Sequence, residues 1–305
     1  MSGLRTFGTA LVLALTAAGG CAQAQSGAQP ASAPPAAQRE SGVHRFKVGQ
    51  LDATVLFDGG MTVPNDGKFL WKDEGAPAVA AVLKAAGLPT ETISLDINTL
   101  LVRTGERLFL LDTGNGPAAK GKLPASLAAA GITPAQVTDI VISHGHPDHI
   151  GGLLTANGGP AFPNAKVRMT AAEWASIQGA PRAAALVKAI SGQVEIFQPG
   201  ATLAPGLTAV EVRGHTPGHT AVLVESGGQR LIAIGDSAHH YVVSVREPEF
   251  TIPFDGDAPT AEASRRALLQ RAVDEKLTVF APHFPYPGLG TIRTEGDGFA
   301  WVPAK

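Results

Sequence analysis

Three imidazoles and a carboxylate fall within six residues in Ser143-His144-Gly145-His146-Pro147-Asp148-His149, near the middle of a chain of 305 residues. The run just before them, Asp139 to Ser143, reads as a buried strand that ends at a loop. Polar groups are costly to bury unless something satisfies them, and a bound metal satisfies several at once. His144 and His146 alternate, so on an extended turn both side chains project to the same side. Asp148 and His149 then face a second position a few ångströms away, and the HxHxDH spacing suggests two metals rather than one.

Further ligands follow other strands. His215 opens Gly214-His215-Thr216-Pro217-Gly218-His219, Asp236 follows Ile234-Gly235, and His283 follows Thr278 to Pro282. Strand ends that converge on one sheet edge can deliver all seven groups to one place. In this reading His144, His146 and His215 hold the first metal, Asp148, His149 and His283 hold the second, and Asp236 bridges them. Neutral imidazole and carboxylate without thiolate suit two divalent ions, zinc first and manganese, iron or cobalt as alternatives. Asp112, at the end of another strand, is placed to orient a ligating histidine. His219 reads as a residue that hydrogen-bonds its own turn, and His44 as a surface residue.

The elements that must carry these groups are legible as strands and helices. Val43 to Val48 and Leu51 to Phe57 alternate at period two and read as a strand pair, with Asp58-Gly59-Gly60 ending the second. Pro64 to Trp71 reads as an irregular loop exposing Phe69 and Trp71, and Pro77 to Ala86 as a helix stopped by Gly87. Ile93 to Val102, Arg107 to Leu111 and Asp139 to Ser143 are strands, with a helix at Ala125 to Ala130 before the last. That strand-helix-strand unit predicts a parallel pair. Further strands are expected at Lys166 to Met169, Val194 to Phe197, Leu207 to Val212, Thr220 to Val224, Arg230 to Ile234 and Thr278 to Ala281. Helices are expected at Ala171 to Gln178, Ala183 to Ile190 and Ala261 to Glu275. Two similar halves packed sheet against sheet, with helices outside, account for this order.

Bulk properties set the limits. The chain is 44% hydrophobic and 16% charged with a net charge of −2, which gives no electrostatic case for nucleic acid or an acidic membrane surface. Residues 1–24 read as an export signal: Arg5, the apolar run Ala10 to Ala18, and a small-x-small site at Ala22-Gln23-Ala24. That run is too short for a membrane span. Ala18-Gly19-Gly20-Cys21 offers a lipoprotein alternative, but position 18 is Ala where such signals usually carry Leu, so plain secretion to the periplasm or beyond is preferred. Residues 25–41, rich in Ala, Pro, Gln and Ser, read as a disordered tether, and 42–305 as a single hydrolase-sized domain.

Taken in order, His144-Gly145-His146-Pro147-Asp148-His149, His215, Asp236 and His283 resemble the metallo-β-lactamase superfamily, across essentially the whole mature chain. The resemblance implies an α/β fold, a four-layer αββα sandwich, and carries the ligand roles to all seven positions. More narrowly, Ala161 to Arg168, Gly214 to Thr220, and Phe284 to Gly290 with Ile292 to Gly296 look like the methyl parathion hydrolase branch. That branch is similar to dihydrocoumarin and homoserine-lactone hydrolases and includes dimeric dizinc enzymes, so a homodimer is allowed. The expected substrate is a small apolar ester, lactone or phosphotriester, attacked by water acidified between the two cations, with Asp236 accepting a proton.

Two departures from that branch bear on substrate. Asn115-Gly116-Pro117-Ala118-Ala119 lacks the aromatic that lines the organophosphate pocket, and Gly179 to Gly192 is shortened where another would lie. Lactone hydrolases of the superfamily carry Tyr three residues after the bridging Asp, where this chain has His239, which is expected to donate a hydrogen bond to the substrate oxygen. Phe69, Trp71, Trp174, Phe284 and Tyr286 are candidates for an apolar pocket. A β-lactamase is disfavoured by Asp236 and by the absence of cysteine after the signal. A glyoxalase-type thioesterase is disfavoured by export, and a non-catalytic metal-binding protein would not need both ligand sets and the bridge.

Overall fold

The computed structural model describes Met1 and residues 41–304. Apart from Met1 and Ser41, the export signal with Cys21 and the tether lie outside the described residues. Among the described residues fourteen strands form two seven-stranded sheets, and each sheet takes its strands from one half of the chain. The first holds β1 (Val43–Val48), β2 (Leu51–Pro64), β3 (Thr92–Thr104), β4 (Arg107–Leu111), β5 (Asp139–Val141), β6 (Lys166–Thr170) and β7 (Val194–Phe197), side by side in that order. The second holds β8 (Thr202–Ala204), β9 (Leu207–Glu211), β10 (Thr220–Ser226), β11 (Gln229–Ala233), β12 (Thr278–Phe280), β13 (Leu289–Glu295) and β14 (Gly298–Pro303), again in chain order. Strands β4 to β7 are parallel, as is the β11–β12 pair, and the other pairs are antiparallel.

Both faces of each sheet are buried, and strand periodicity sorts the side chains between them. In β4, Leu108 and Leu110 point to an outer cluster with Leu127 and Met169, while Phe109 and Leu111 point inward. In β10, Val222 and Val224 point inward to meet them, and Ala221 and Leu223 point outward to Leu268 and Leu269. The helices supply the outer layers. Among the described residues they are α1 (Gly75–Ala85), α2 (Leu123–Ala130), α3 (Pro147–Ile150), α4 (Ala171–Gly179), α5 (Ala184–Ile190), α6 (Val243–Arg246) and α7 (Ala258–Asp274). The result is the four-layer αββα sandwich expected from the sequence. Among the described residues no helix is long and apolar enough to cross a membrane.

Three expectations are corrected. Strand β2 does not end at Asp58-Gly59-Gly60 but runs on to Pro64, because a bulge between Phe57 and Gly59 absorbs the irregularity and pairing with β3 resumes. Trp71 is fully buried rather than exposed, packed in a small core with Leu70, Leu83, Ile93 and Val243. Residues 289–303, for which no strand was expected, form the β13–β14 hairpin that ends the second sheet.

Candidate metal centre

Every strand bearing a candidate group stops just before it. β5 ends at Val141 ahead of His144, β9 at Glu211 ahead of His215, β11 at Ala233 ahead of Asp236, and β12 at Phe280 ahead of His283. Pro147 starts the one-turn α3, a position where its missing N–H costs nothing, and α3 presents Asp148 and His149. Asp236 sits in a 3₁₀ turn, Gly235–Ser237. All of these are carboxyl ends, so the two sheets discharge their ligands at one edge.

The groups converge as two sets. Ligand atoms of His144, His146, His215 and Asp236 lie within 4.8 Å of one another, and so do those of Asp148, His149 and His283. In the first set, His144 Nε2 is 3.0 Å from His146 Nδ1 and 3.2 Å from His215 Nε2. In the second, His149 Nε2 and His283 Nε2 are 3.3 Å apart. Asp236 reaches both: Oδ2 is 3.5 Å from His144 Nε2 and 3.6 Å from His215 Nε2, while Oδ1 is 3.1 Å from both His149 Nε2 and His283 Nε2.

The far nitrogen of four of these rings is already committed. His215 Nδ1 donates to Asp255 Oδ1 at 2.7 Å, His149 Nδ1 to Asp112 Oδ2 at 2.9 Å, and His283 Nδ1 to the Asp96 carbonyl at 3.0 Å. His144 Nδ1 donates to Ser143 Oγ, whose own hydrogen goes to Asp112 Oδ2. In the neutral rings each inward nitrogen therefore carries a lone pair. Asp236 Oδ1 is buried with no hydrogen-bond donor. A cluster built only of acceptors needs a cation at its centre. Zinc with bonds of about 2.0–2.1 Å sets tetrahedral ligands about 3.3 Å apart, close to the spacings found here. The residues fit two divalent ions.

Electrostatics agree. Burial drives His144 and His215 well below the ordinary histidine range. Burial opposes charge on His149 too, but Asp236, Asp112 and Asp148 outweigh it and hold that ring well above the range. Burial likewise works against the Asp236 anion, and His149, His283 and His239 overcome it, so its carboxyl sits well below the usual range. The carboxylates thus draw positive charge to the second set. Asp112 is held at φ 59°, a left-handed conformation rare outside glycine, where it also accepts from the Ser143 backbone.

His219, expected to tie its own turn, instead accepts from the Asp236 backbone N–H at 3.1 Å, and burial pushes it down to about 3 so that it stays neutral. His239 is buried with its Nε2 3.1 Å from Asp236 Oδ2 and its ring stacked at 5.5 Å on His283. His44 stands apart from the cluster and packs on Phe46.

Of the five aromatic pocket candidates, only Phe69 is exposed near the centre. Trp71, Phe284 and Tyr286 are core residues, and Trp174 packs against the outer cluster of the first sheet. The partner of Phe69 is Phe254, which the sequence reading missed. Their rings meet edge-on at 5.3 Å, with exposures of 37% and 40%, and Phe254 lies 6.4 Å from the His146 ring. On the other side of His146 opens a cavity of about 840 Å³ walled by Ile150, Leu154, Ile177, Ala180, Ala183 and Leu186.

The model of the metallo-beta-lactamase superfamily matches residues 93–283, which contain every group of the cluster. The chain belongs to that superfamily. Solved relatives show the same architecture. AidC, a dizinc quorum-quenching lactonase in complex with the product N-hexanoyl-L-homoserine, superposes with TM-score 0.82 at 30% identity, over 87% of this chain and 98% of that one. The hydrolase AbOPH of the beta lactamase superfamily gives 0.77 at 27% identity, over 87% and 98%. An N-acyl homoserine lactonase of a Bacillus species is 29% identical over 220 residues, 64% of this chain and 84% of the relative. The chain is a metal-dependent hydrolase with a dinuclear metal site.

Proposed function

We propose that this superfamily member opens lactones or cleaves related activated esters, using two zinc ions held by His144, His146 and His215 on one side and by Asp148, His149 and His283 on the other. Asp236 joins the two sets, and that bridge is the observation on which the reading rests. A pair of such ions supplies hydroxide near neutral pH and a Lewis acid for the acceptor oxygen. The chain's own residues do the rest. Asp236, with both oxygens turned to the centre, is the group to take a proton as water adds to the carbonyl carbon. His239 is placed to donate from Nε2 to the substrate oxygen. The alkoxide that leaves on ring opening takes up a proton, so one water is consumed per lactone.

The cluster opens to solvent through His146 and Asp148, its less buried members, so the substrate's apolar arm is assigned to the cavity beside His146. Alanines at 118, 119, 180 and 183 leave that cavity roomy. This supports a flexible alkyl arm over the aryl group of a phosphotriester, and with it a lactone-type substrate over an organophosphate one. Similarity to AidC and to the Bacillus lactonase supports the same choice. We also propose that residues 42–305 form the hydrolase domain of a periplasmic or secreted protein; this rests on the sequence of residues 1–41.

Two experiments test the reading. The first is a side-by-side kcat/KM panel with homoserine lactones of increasing acyl length, dihydrocoumarin, a paraoxon-like triester and a chromogenic cephalosporin. Lactones are expected to lead, and a clear lead for the cephalosporin would overturn the proposal. The second is His239→Phe, which should lower kcat on the best lactone about a hundredfold with two metals still bound. An unchanged kcat removes the role given to His239.

A further inference from the structure

The first ligand set is assembled from both sheets. His144 and His146 follow β5 of the first sheet and His215 follows β9 of the second, 71 positions from His144. Besides the direct bond from the Thr220 N–H to the Ser143 carbonyl, a third element touches both loops. That element is the start of α4, whose Glu173 is 1% exposed and lies outside both ligand sets. Its Oε1 accepts from the Gly145 backbone N–H at 2.7 Å, between the two histidines of the first loop. Its Oε2 accepts from Thr216 Oγ1 at 2.6 Å and from the Gly218 N–H at 3.0 Å, in the loop of His215.

Both loops lie flat on the helix where they meet this carboxylate. A Cβ on Gly145 would come within 2.6 Å of Ile177 and 3.0 Å of Glu173 Oε1. A Cβ on Gly218 would come within 2.1 Å of Thr170 Oγ1 and 2.5 Å of the Glu173 nitrogen. Thr170, the helix cap, accepts from the Glu173 N–H and also donates to the Gly218 carbonyl. None of these bonds reaches the second ligand set, where the Asp96 carbonyl stands behind His283 and Asp112 stands behind His149 and, through Ser143, behind His144 as well.

We propose that Glu173 is a positioning residue that sets the spacing of His144, His146 and His215, and so governs occupancy of the first metal position and not the second. The inference rests on the reading that these residues hold metal. Glutamine at 173 offers a single acceptor oxygen, so at least one of the Gly145 and Gly218 N–H groups loses its partner; alanine loses all three bonds.

Metal-free wild type, Glu173→Gln, Glu173→Ala and a remote control, Asp139→Asn, would be titrated with cobalt(II). Bound metal is read by elemental analysis and each position by its visible d–d absorption. Wild type should take up two ions. The Glu173 variants should keep one ion at wild-type affinity and bind the other about 10–100-fold more weakly, the usual effect of removing a group behind a ligand shell. Asp139→Asn should lose thermal stability while both affinities hold. The inference is overturned if Glu173→Gln binds both ions as wild type does, or if the variants lose both ions equally. Wild type taking up fewer than two ions would instead sink the reading under Proposed function.

Discussion

Strand β5 carries a cluster of buried charge at each end, and the two are neutralised in opposite ways. At its start Asp139 is 1% exposed and receives a forked guanidinium from Arg107, a second from Arg168 at 2.7 Å and the Thr138 hydroxyl at 2.8 Å. Burial opposes that carboxylate, but the donors outweigh it and hold its pKa below the ordinary range. At the other end Asp112, Asp148 and Asp236 face imidazoles whose free lone pairs point at one another. Arginine cannot give up its proton, so the first cluster is permanently closed. Histidine can, so the second can exchange protons for metal ions. The difference separates charge buried for stability from charge buried for chemistry.

The largest test removes the bridge. Asp236→Asn should cost several kcal/mol of transition-state stabilisation, about a thousandfold in kcat/KM, with metal content falling below two. Full activity would mean that the open end of β5 works without its central carboxylate. Asp255 is a hybrid, holding His215 through one oxygen and the buried Arg265 through the other. Asp255→Asn should weaken the first metal up to about a hundredfold and also lower the melting temperature. A change in only one of the two measurements would break the assignment of both roles.

The smallest effect belongs to the closed end. Asp139→Asn should destabilise the fold by about 1–2 kcal/mol in urea unfolding at neutral pH, discounted because Arg107 is 38% exposed. Its kcat/KM and metal content should match wild type. The sign of the pH dependence follows from the depressed folded pKa. The contribution is present above the unfolded value, about 3.9, and is lost as pH falls through the folded one. The two proteins should therefore draw together as pH falls below about 4 and meet only once it is below the folded value. A gap that survives there would assign the effect to packing rather than charge.

What could be read in advance depended on how local each signal was. The HxHxDH run is contiguous, and His215, Asp236 and His283 each follow an apolar strand, so sequence alone brought the seven groups to one edge. Glu173 carried no such mark, since one glutamate on a helix looks solvated until Gly145, Thr216 and Gly218, all distant in sequence, close over it. Phe254 stood in a segment without periodicity. Asp58-Gly59-Gly60 looked like a stop because a bulge and a turn share the same residues; Asp58 in fact accepts from the backbone of Asn115 and Leu123 and shapes the loop beside the cavity. Phe284 and Tyr286 follow His283 directly, yet their burial is decided by partners such as Trp301 and Phe57.

The alanine-walled cavity has a consequence for how the enzyme could diversify. Of the seven clustered groups only His146 reaches its wall, and most of that wall comes from the 115–119 loop, α3 and the segment after it, and α4 with α5, with Gly145 and Thr216 at its edge. The exposed alanines 118 and 119 carry no ligand and sit outside the buried core, so bulkier side chains there trade room for grip one position at a time. Preference among substrates can therefore drift quickly under selection while the reaction itself is inherited unchanged.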